Sequence, residues 1–354
     1  MNSKKDLNEK YISFLEQTKD DTHKAVNHLN DRVLIVDGLN TFIRSFAVNP
    51  ALNEDGLHVG GMMGFLKSVR YTSDILKPSR VIIVFDGKNG SGRRQKIYPE
   101  YKGTRKVKRR LNRNVDWGTA PQDEQQSMKQ QMGRLIEYLE QLPLTLICVD
   151  GIEADDTMAY ISQQLLPKSD IMLMSTDKDF LQLVDDRISV YLPTKKKLMH
   201  KEDVKELYGV PSKNLVYYRI FDGDKSDNIP GVRGIGPKTL INKLDFLQSD
   251  GLTLDTLFER VSQLDDEKLK NKILEHADTL KLNYDLMQLS EPIMGSAITS
   301  NVRNIIDSPI NGLNSFGFKK EFMVDKLYTA FKNVETWLVN TWGDLDKYSK
   351  QTRK

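Results

Sequence analysis

Four short apolar runs mark the first half of the chain, and an acid follows each of them. Val33-Leu34-Ile35-Val36 gives way to Asp37-Gly38, and Val81-Ile82-Ile83-Val84-Phe85 to Asp86-Gly87. Thr145 to Val149 gives way to Asp150-Gly151, and Ile171 to Met174 leads into Ser175-Thr176-Asp177. Runs this short and this continuously apolar predict strands covered on both faces, the pattern of a parallel sheet. Between them the spacing turns helical. Met128, Met132, Leu135, Ile136 and Leu139 recur on one helix face, a core-packing stripe, and Glu153 to Leu166 predicts another helix. Alternating strands and helices predict an α/β fold with a mostly parallel central sheet flanked by helices. In such sheets the ligand crevice lies outside the carboxyl ends of the strands, where these acids fall.

Beyond about residue 200 the pattern becomes helical. Glu202 to Tyr208, Lys213 to Phe221 and much of 238–345 read as helices, interrupted by Gly231-Val232-Arg233-Gly234-Ile235-Gly236. The expected organisation is a polar extension over 1–31, an α/β domain over 32–200 and a helical region over 201–300. A C-terminal helical extension over 301–354 follows. Residues 6–29 read as a charged, solvated helix, and no clean linker separates the helical part from the sheet.

Composition adds few constraints. The chain has 354 residues, 39% of them apolar, enough for a core, and no apolar run approaches the length of a membrane span. Residues 1–31 lack the apolar stretch of a secretory signal. The one cysteine, Cys148, sits among Leu144, Leu146, Ile147 and Val149 and reads as a buried thiol, consistent with a reducing cytoplasmic setting. The net charge of +3 conceals a separation of signs. From Arg93 to Arg113 ten residues are Lys or Arg and only Glu100 is acidic, while carboxylates gather at the strand ends.

Asp-Gly after a strand is an ordinary turn signal, so Asp37 or Asp86 alone says little. Glu153-Ala154-Asp155-Asp156 opens a helix, where acids suit the dipole, yet three in four residues exceed what capping needs. Asp177-Lys178-Asp179 follows another strand, and Asp224 and Asp227 lie just before the glycine-rich turn. Nine carboxylates brought together would repel and raise one another's pKa unless cations joined them. All-oxygen donors suit Mg²⁺ or Mn²⁺, and the absence of a Cys/His cluster argues against zinc. Two such ions roughly 4 Å apart serve phosphodiester hydrolysis.

In order and spacing, Val36-Asp37-Gly38-Leu39-Asn40, Phe85-Asp86-Gly87, Glu153-Ala154-Asp155-Asp156, Ser175-Thr176-Asp177-Lys178-Asp179-Phe180 and Gly223-Asp224-Lys225-Ser226-Asp227-Asn228 resemble the 5′-nuclease family. That family includes flap endonucleases, polymerase-linked 5′→3′ exonuclease domains and phage 5′-exonuclease and ribonuclease H enzymes. The resemblance covers about 32–245 and implies a PIN-like core with two metal sites. Asp37, Asp86, Glu153 and Asp155 would serve the catalytic ion. Asp156, Asp177, Asp179, Asp224 and Asp227 would serve the second or bridge to it.

The basic segment, with Tyr98 and Tyr101 interleaved and Trp117 just beyond, reads as a portal for single-stranded nucleic acid, where cations follow phosphates and aromatics stack on bases. By the resemblance, Arg94-Gln95-Lys96-Ile97-Tyr98-Pro99-Glu100-Tyr101-Lys102-Gly103 matches the root of a helical arch spanning about 88–122. Lys102 would then contact the scissile phosphate and Tyr101 a base, with Arg94 and Arg105 lining the same passage. Arg44 matches a phosphate-contacting arginine. Gly231, Gly234, Gly236 and Lys238 resemble a helix-hairpin-helix that grips duplex backbone without reading sequence, with K⁺ as a structural ligand.

The expected activity is two-metal hydrolysis at 5′ flaps, nicked duplexes and RNA primers during replication or repair. The expected partners are branched or primer-bearing DNA, RNA–DNA duplex and replication proteins, for a protein acting as a monomer and without a membrane. A catalytically weak junction-binding protein on the same scaffold is the rival, and missing carboxylates would mark it. None is missing. A PIN-type ribonuclease would lack both the basic segment and the glycine-rich turn.

Overall fold

The run Arg32–Asp37 forms β1, and its side chains point alternately to two different cores. Val33 and Ile35 join one apolar cluster, Leu34 and Val36 the other, and all four are fully buried. Burial of each such side chain contributes roughly 1.5–3 kcal/mol, which holds the strand end rigid where acids must sit close together. The structure, a computed structural model, describes residues 26–103, 110–117, 121–329 and 333–352. The expected helix at 6–29 falls almost wholly outside them.

Around β1 a six-stranded sheet is built in the order β3-β2-β1-β4-β5-β6. Its strands are β2 (Arg80–Asp86), β3 (Thr145–Val149), β4 (Asp170–Met174), β5 (Ile188–Leu192) and β6 (Lys197–Met199). All neighbours pair in parallel except β5 and β6. The first three strands step outward on one side of β1 and β4 starts the other, so the order reverses between β1 and β4. That reversal opens a crevice at the strand ends. The expected parallel α/β sheet is present, extended by two strands that the apolar pattern did not reveal.

One face of the sheet is covered by α1 (Gly38–Val48), α2 (Gly60–Leu76) and α4 (Pro121–Glu140), joined by chain from beyond residue 310. The short α3 (Gly92–Ile97) opens the basic segment. On the other face lies α5 (Ala154–Tyr160), continued by a π turn at Ile161–Leu165. The helical region packs on that same face: α6 (Lys201–Tyr208), α7 (Leu215–Asp222), α8 (Pro237–Lys243), α9 (Leu254–Ser262), α10 (Glu267–Glu275), α11 (Ala277–Met287) and α12 (Ser296–Asp307). Helices α13 (Ser315–Val324) and α14 (Val334–Ser349) complete the chain. No helix among the described residues is long and apolar enough to cross a membrane.

Two expectations about single residues fail here. Cys148 is exposed, not buried. It lies near the end of the edge strand β3, where Thr145, Ile147 and Val149 are buried and Cys148, on the alternate face, is exposed. Trp117 is buried instead of offered to bases: it stacks on Phe46 at 5.8 Å, and its Nε1 donates to the Asn112 carbonyl.

Candidate active site

Because the sheet is parallel, β1, β2, β3 and β4 deliver their acids to one edge. Asp37 ends β1 and caps α1, its Oδ1 accepting from the Asn40 amide at 3.0 Å. Its Oδ2 accepts from the Ser175 hydroxyl at 2.9 Å, and Ser175 Oγ in turn accepts from the Asp177 amide. Ser175 therefore links the ends of β1 and β4 across the crevice. Asp86 ends β2 and accepts from the Ala154 amide at the start of α5. Glu153 and Asp155 stand at that same helix start.

The basic segment enters among these acids. Arg94 is buried, and its Nη1 lies 2.5 Å from both Glu153 and Asp156 while Nη2 donates to Asp156. Lys102 Nζ pairs with Glu153 and stands 4.0 Å from Asp227. The Tyr101 hydroxyl lies 3.2 Å from both Glu153 and Asp227. Two backbone-level ties fix the basic segment at Glu100 and Lys102 to the acidic turn: the Lys102 amide donates to the Asp227 carbonyl, and Asn228 Nδ2 donates to the Glu100 carbonyl. Lys102 adopts φ +57°, a left-handed conformation costly for a side-chain-bearing residue and maintained here by these contacts.

On the far flank Arg219, from α7, joins Asp179 and Asp224. Electrostatics divide the site accordingly. Burial, with Asp177 and Asp86 nearby, pushes the Asp37 pKa up to about 7. Burial and Asp177 push Asp179 up to about 7, even against Arg219. Asp155 is raised well above the usual carboxylate range by burial, Asp177 and Asp37, and Asp177 is raised by burial, Asp227 and Asp224. Glu153 goes the other way: burial opposes ionisation, but Arg94 and Lys102 outweigh it and bring the pKa to about 2.

The group is not a finished cage, since among the described residues no three His, Cys, Asp or Glu side chains are drawn tightly enough together to clasp an ion. It is an oxygen-only set in which Asp37, Asp155, Asp177 and Asp179 repel one another, while Arg94 and Lys102 neutralise Glu153 and Asp156 and Arg219 partly offsets Asp179 and Asp224. Divalent cations fit such a set, because they remove the repulsion that burial otherwise answers with protons.

The structure brings Asp37, Asp86, Glu153, Asp155, Asp177, Asp179, Asp224 and Asp227 to one edge of the sheet, but it assigns several residues differently from the sequence. Asp156 is 1% exposed and held on both oxygens by Arg94 in this structure. Arg94 is consumed inside the site and does not line a passage. Tyr101 is 3% exposed and bonded to acids, so its ring is not presented to a base. Arg44 is half-buried, its Nη2 donating to Ser68 of α2. Arg105 lies outside the described residues. Gly231 is a packing glycine, since a Cβ there would fall 2.3 Å from the Asp222 carbonyl. Gly234 has φ +79°, while Gly236 and the exposed Lys238 begin α8 with open space before them. A cavity of about 700 Å³ lies apart from the nine acids, around His58 and Trp117.

Arg219 was missed by sequence reasoning. A lone charge inside Leu215-Val216-Tyr217-Tyr218-Arg219-Ile220-Phe221 was the available signal, because a buried arginine requires a partner.

A switch-point crevice rimmed with acids and entered by Arg94 and Lys102 of the basic segment suits an α/β nuclease. The sequence model of the 5′-3′ exonuclease N-terminal resolvase-like domain matches residues 32–209, and that of the 5′-3′ exonuclease C-terminal SAM fold matches 210–303. The chain belongs to the 5′-3′ exonuclease family. It is 30% identical over 300 residues to DNA polymerase I of Rhizobium leguminosarum, covering 82% of this chain but only 27% of the polymerase. It is 28% identical to the 5′-3′ exonuclease of Buchnera aphidicola, covering 84% of this chain and 99% of that protein. In fold it is similar to the bacteriophage T5 flap endonuclease crystallised with DNA and metal ions, with a TM-score of 0.60 and 20% identity over 83% of this chain and 99% of that one.

Proposed function

We propose that the protein is a magnesium-dependent, structure-selective 5′-nuclease that hydrolyses phosphodiester bonds in 5′ flaps, nicked duplexes and RNA primers. The supporting observation is the set of buried, mutually repelling acids, Asp37, Asp155, Asp177 and Asp179, with Lys102 close to Asp155. Asp37, Asp86, Glu153 and Asp155 would hold one Mg²⁺ or Mn²⁺, and Asp177, Asp179, Asp224 and Asp227, with Asp156 beside them, a second. Such ions supply Lewis-acid polarisation of the phosphate and an acidified water.

The chain's own groups do the rest. Lys102, paired with Glu153 in this state, is the cation nearest the acids from the arch side, and on substrate binding it turns to a phosphate oxygen and offsets charge developing there. Tyr101 keeps Glu153 and Asp227 apart at a fixed spacing. The hairpin from Gly231 to Lys238 holds duplex backbone, so cutting is set by distance from a junction and not by base identity. A bound K⁺ at that hairpin and a role beside replication proteins belong to the same reading.

The test is cleavage of 5′-labelled flap, nicked, RNA-primed and blunt duplexes of one sequence. Preferential cutting at the branch or primer is expected. Equal cutting of all four would remove structure selection from the proposal.

A further inference from the structure

Helix α11 is tied to two parts of the site at once. At its C-terminal end it meets the strand-end acids: Arg94, which holds Glu153 and Asp156, donates from Nε to the Leu286 carbonyl at 2.8 Å. Gln182 donates from Nε2 to the Asp179 and Met287 carbonyls at 2.8 and 3.0 Å and accepts from the Leu289 amide at 2.9 Å. Asn283, on the same helix, reaches the hairpin. It is fully buried, and its Nδ2 donates to the Ile220 carbonyl at 2.8 Å and to the Pro230 carbonyl at 2.7 Å. Ile220 lies in the last turn of α7, where helix carbonyls lack an intrahelical donor. Pro230 precedes Gly231, where the glycine hairpin begins. These are the two stems of the turn that carries Asp224 and Asp227, and the paired backbones of Asp224 and Ile229 close it between them.

A single amide thus fixes the start of the hairpin to the helix that also frames the acids. Successive phosphates on one strand of a duplex are offset by only about 3.4 Å along its axis, so a small displacement of the grip presents a different bond to the acids. We propose that Asn283 is the positioning residue that sets the register between hairpin and acids, and so fixes which phosphodiester bond is cut. It acts through the Ile220 and Pro230 carbonyls and touches no substrate. The inference rests on the nuclease reading above.

The readout is the position of the cut, mapped to the nucleotide on a 5′-labelled flap duplex in Mg²⁺. Asn283→Ala removes the donor to both carbonyls, and Asn283→Asp keeps the shape without the two N–H groups. Leu280→Ala, a fully buried apolar change three positions earlier on α11, is the control for lost stability alone. The unaltered chain should cut mainly at one bond. Both Asn283 variants, folded by circular dichroism, should spread cutting over neighbouring bonds. Their kcat at the main bond should fall about 10- to 100-fold with KM little changed. Leu280→Ala should lower the melting temperature and keep the single position. Cutting at the unaltered position alone by folded Asn283→Ala would overturn the inference, as would equal spreading by Leu280→Ala. If neither Asn283 variant folds, Gly231→Ala decides. Its Cβ would stand 2.3 Å from the Asp222 carbonyl and force the same stems apart, so an unspread cut there would overturn the inference. Failure of the nuclease reading looks different: the unaltered chain would leave the flap uncut, and this inference would go with it.

Discussion

Asp37 is 6% exposed and has Asp86 and Asp177 for neighbours, so without a cation it prefers to keep its proton. Its folded pKa, like that of Asp179, is about 7, against roughly 3.9 in an unfolded chain. A raised carboxylate binds protons in the folded state that the unfolded state has released. Stability is therefore lost as pH rises from about 4 to about 7, at no more than roughly 1.4 kcal/mol per unit for each group. Glu153 acts only below the ordinary carboxylate range, since its pKa is lowered. His58, whose pKa burial lowers, works in the opposite sense within the window. The comparison is therefore made with and without Mn²⁺, which addresses the acids alone. Melting temperature in EDTA should fall between pH 5 and pH 7.5, and Mn²⁺ should abolish most of that fall. Parallel curves would contradict the electrostatic picture. At Lys102, Lys102→Ala should lower single-turnover cleavage about 100- to 1000-fold, the range for losing one preorganised charge-stabilising donor. An undiminished rate would take Lys102 out of the chemistry.

The elements explain why these residues stay in place. The limb of chain that follows the basic segment is held to α1 and α4: Asn112 Nδ2 donates to the Phe46 and Asn49 carbonyls, and Glu124 Oε1 accepts from the Leu111 and Asn112 amides. His58 adds a bond to the Asn49 carbonyl at 2.7 Å and another to Gln131. Glu124→Ala leaves the buried Asn112 amide and the part-buried Leu111 amide unpaired and should cost about 1–3 kcal/mol. Hydrogen exchange would show it as lost protection at Leu111 and Asn112; retained protection would mean the limb is held by other contacts. The sequence showed the strands ending in acids, because an apolar run closed by Asp-Gly is a local signal. It did not show β5 and β6, where Ser189 interrupts a five-residue strand and Lys197–Met199 is only three residues long. Nor did it show which acids meet basic side chains. Arg94 and Asp156 lie 62 positions apart, and only the folded chain brings them together. A basic residue in a basic segment reads as surface until its partner is known.

At the scale of the whole molecule, two cores separated by one sheet hold the site between them. The chain beyond residue 303, outside both family matches, is part of this construction. Phe318, Phe322, Trp337, Leu338, Trp342 and Leu345 are buried in the core that also holds Leu34, Val36 and Phe85. Thr341 meets both Arg70 and Asp74 on α2. Truncation after residue 312 should therefore expose apolar surface, lower the melting temperature and weaken cleavage together. A truncated chain that melts like the full one would show the segment to be dispensable. The central claim is that acids from four strand ends, with the turn before the hairpin, act together through divalent ions. It is tested most directly by cleavage of a 5′-labelled flap duplex in EDTA and in Mg²⁺, for the unaltered chain and folded Asp155→Ala. The account predicts cutting only by the unaltered chain and only with Mg²⁺; cutting in EDTA, or by Asp155→Ala at the full rate, would contradict it.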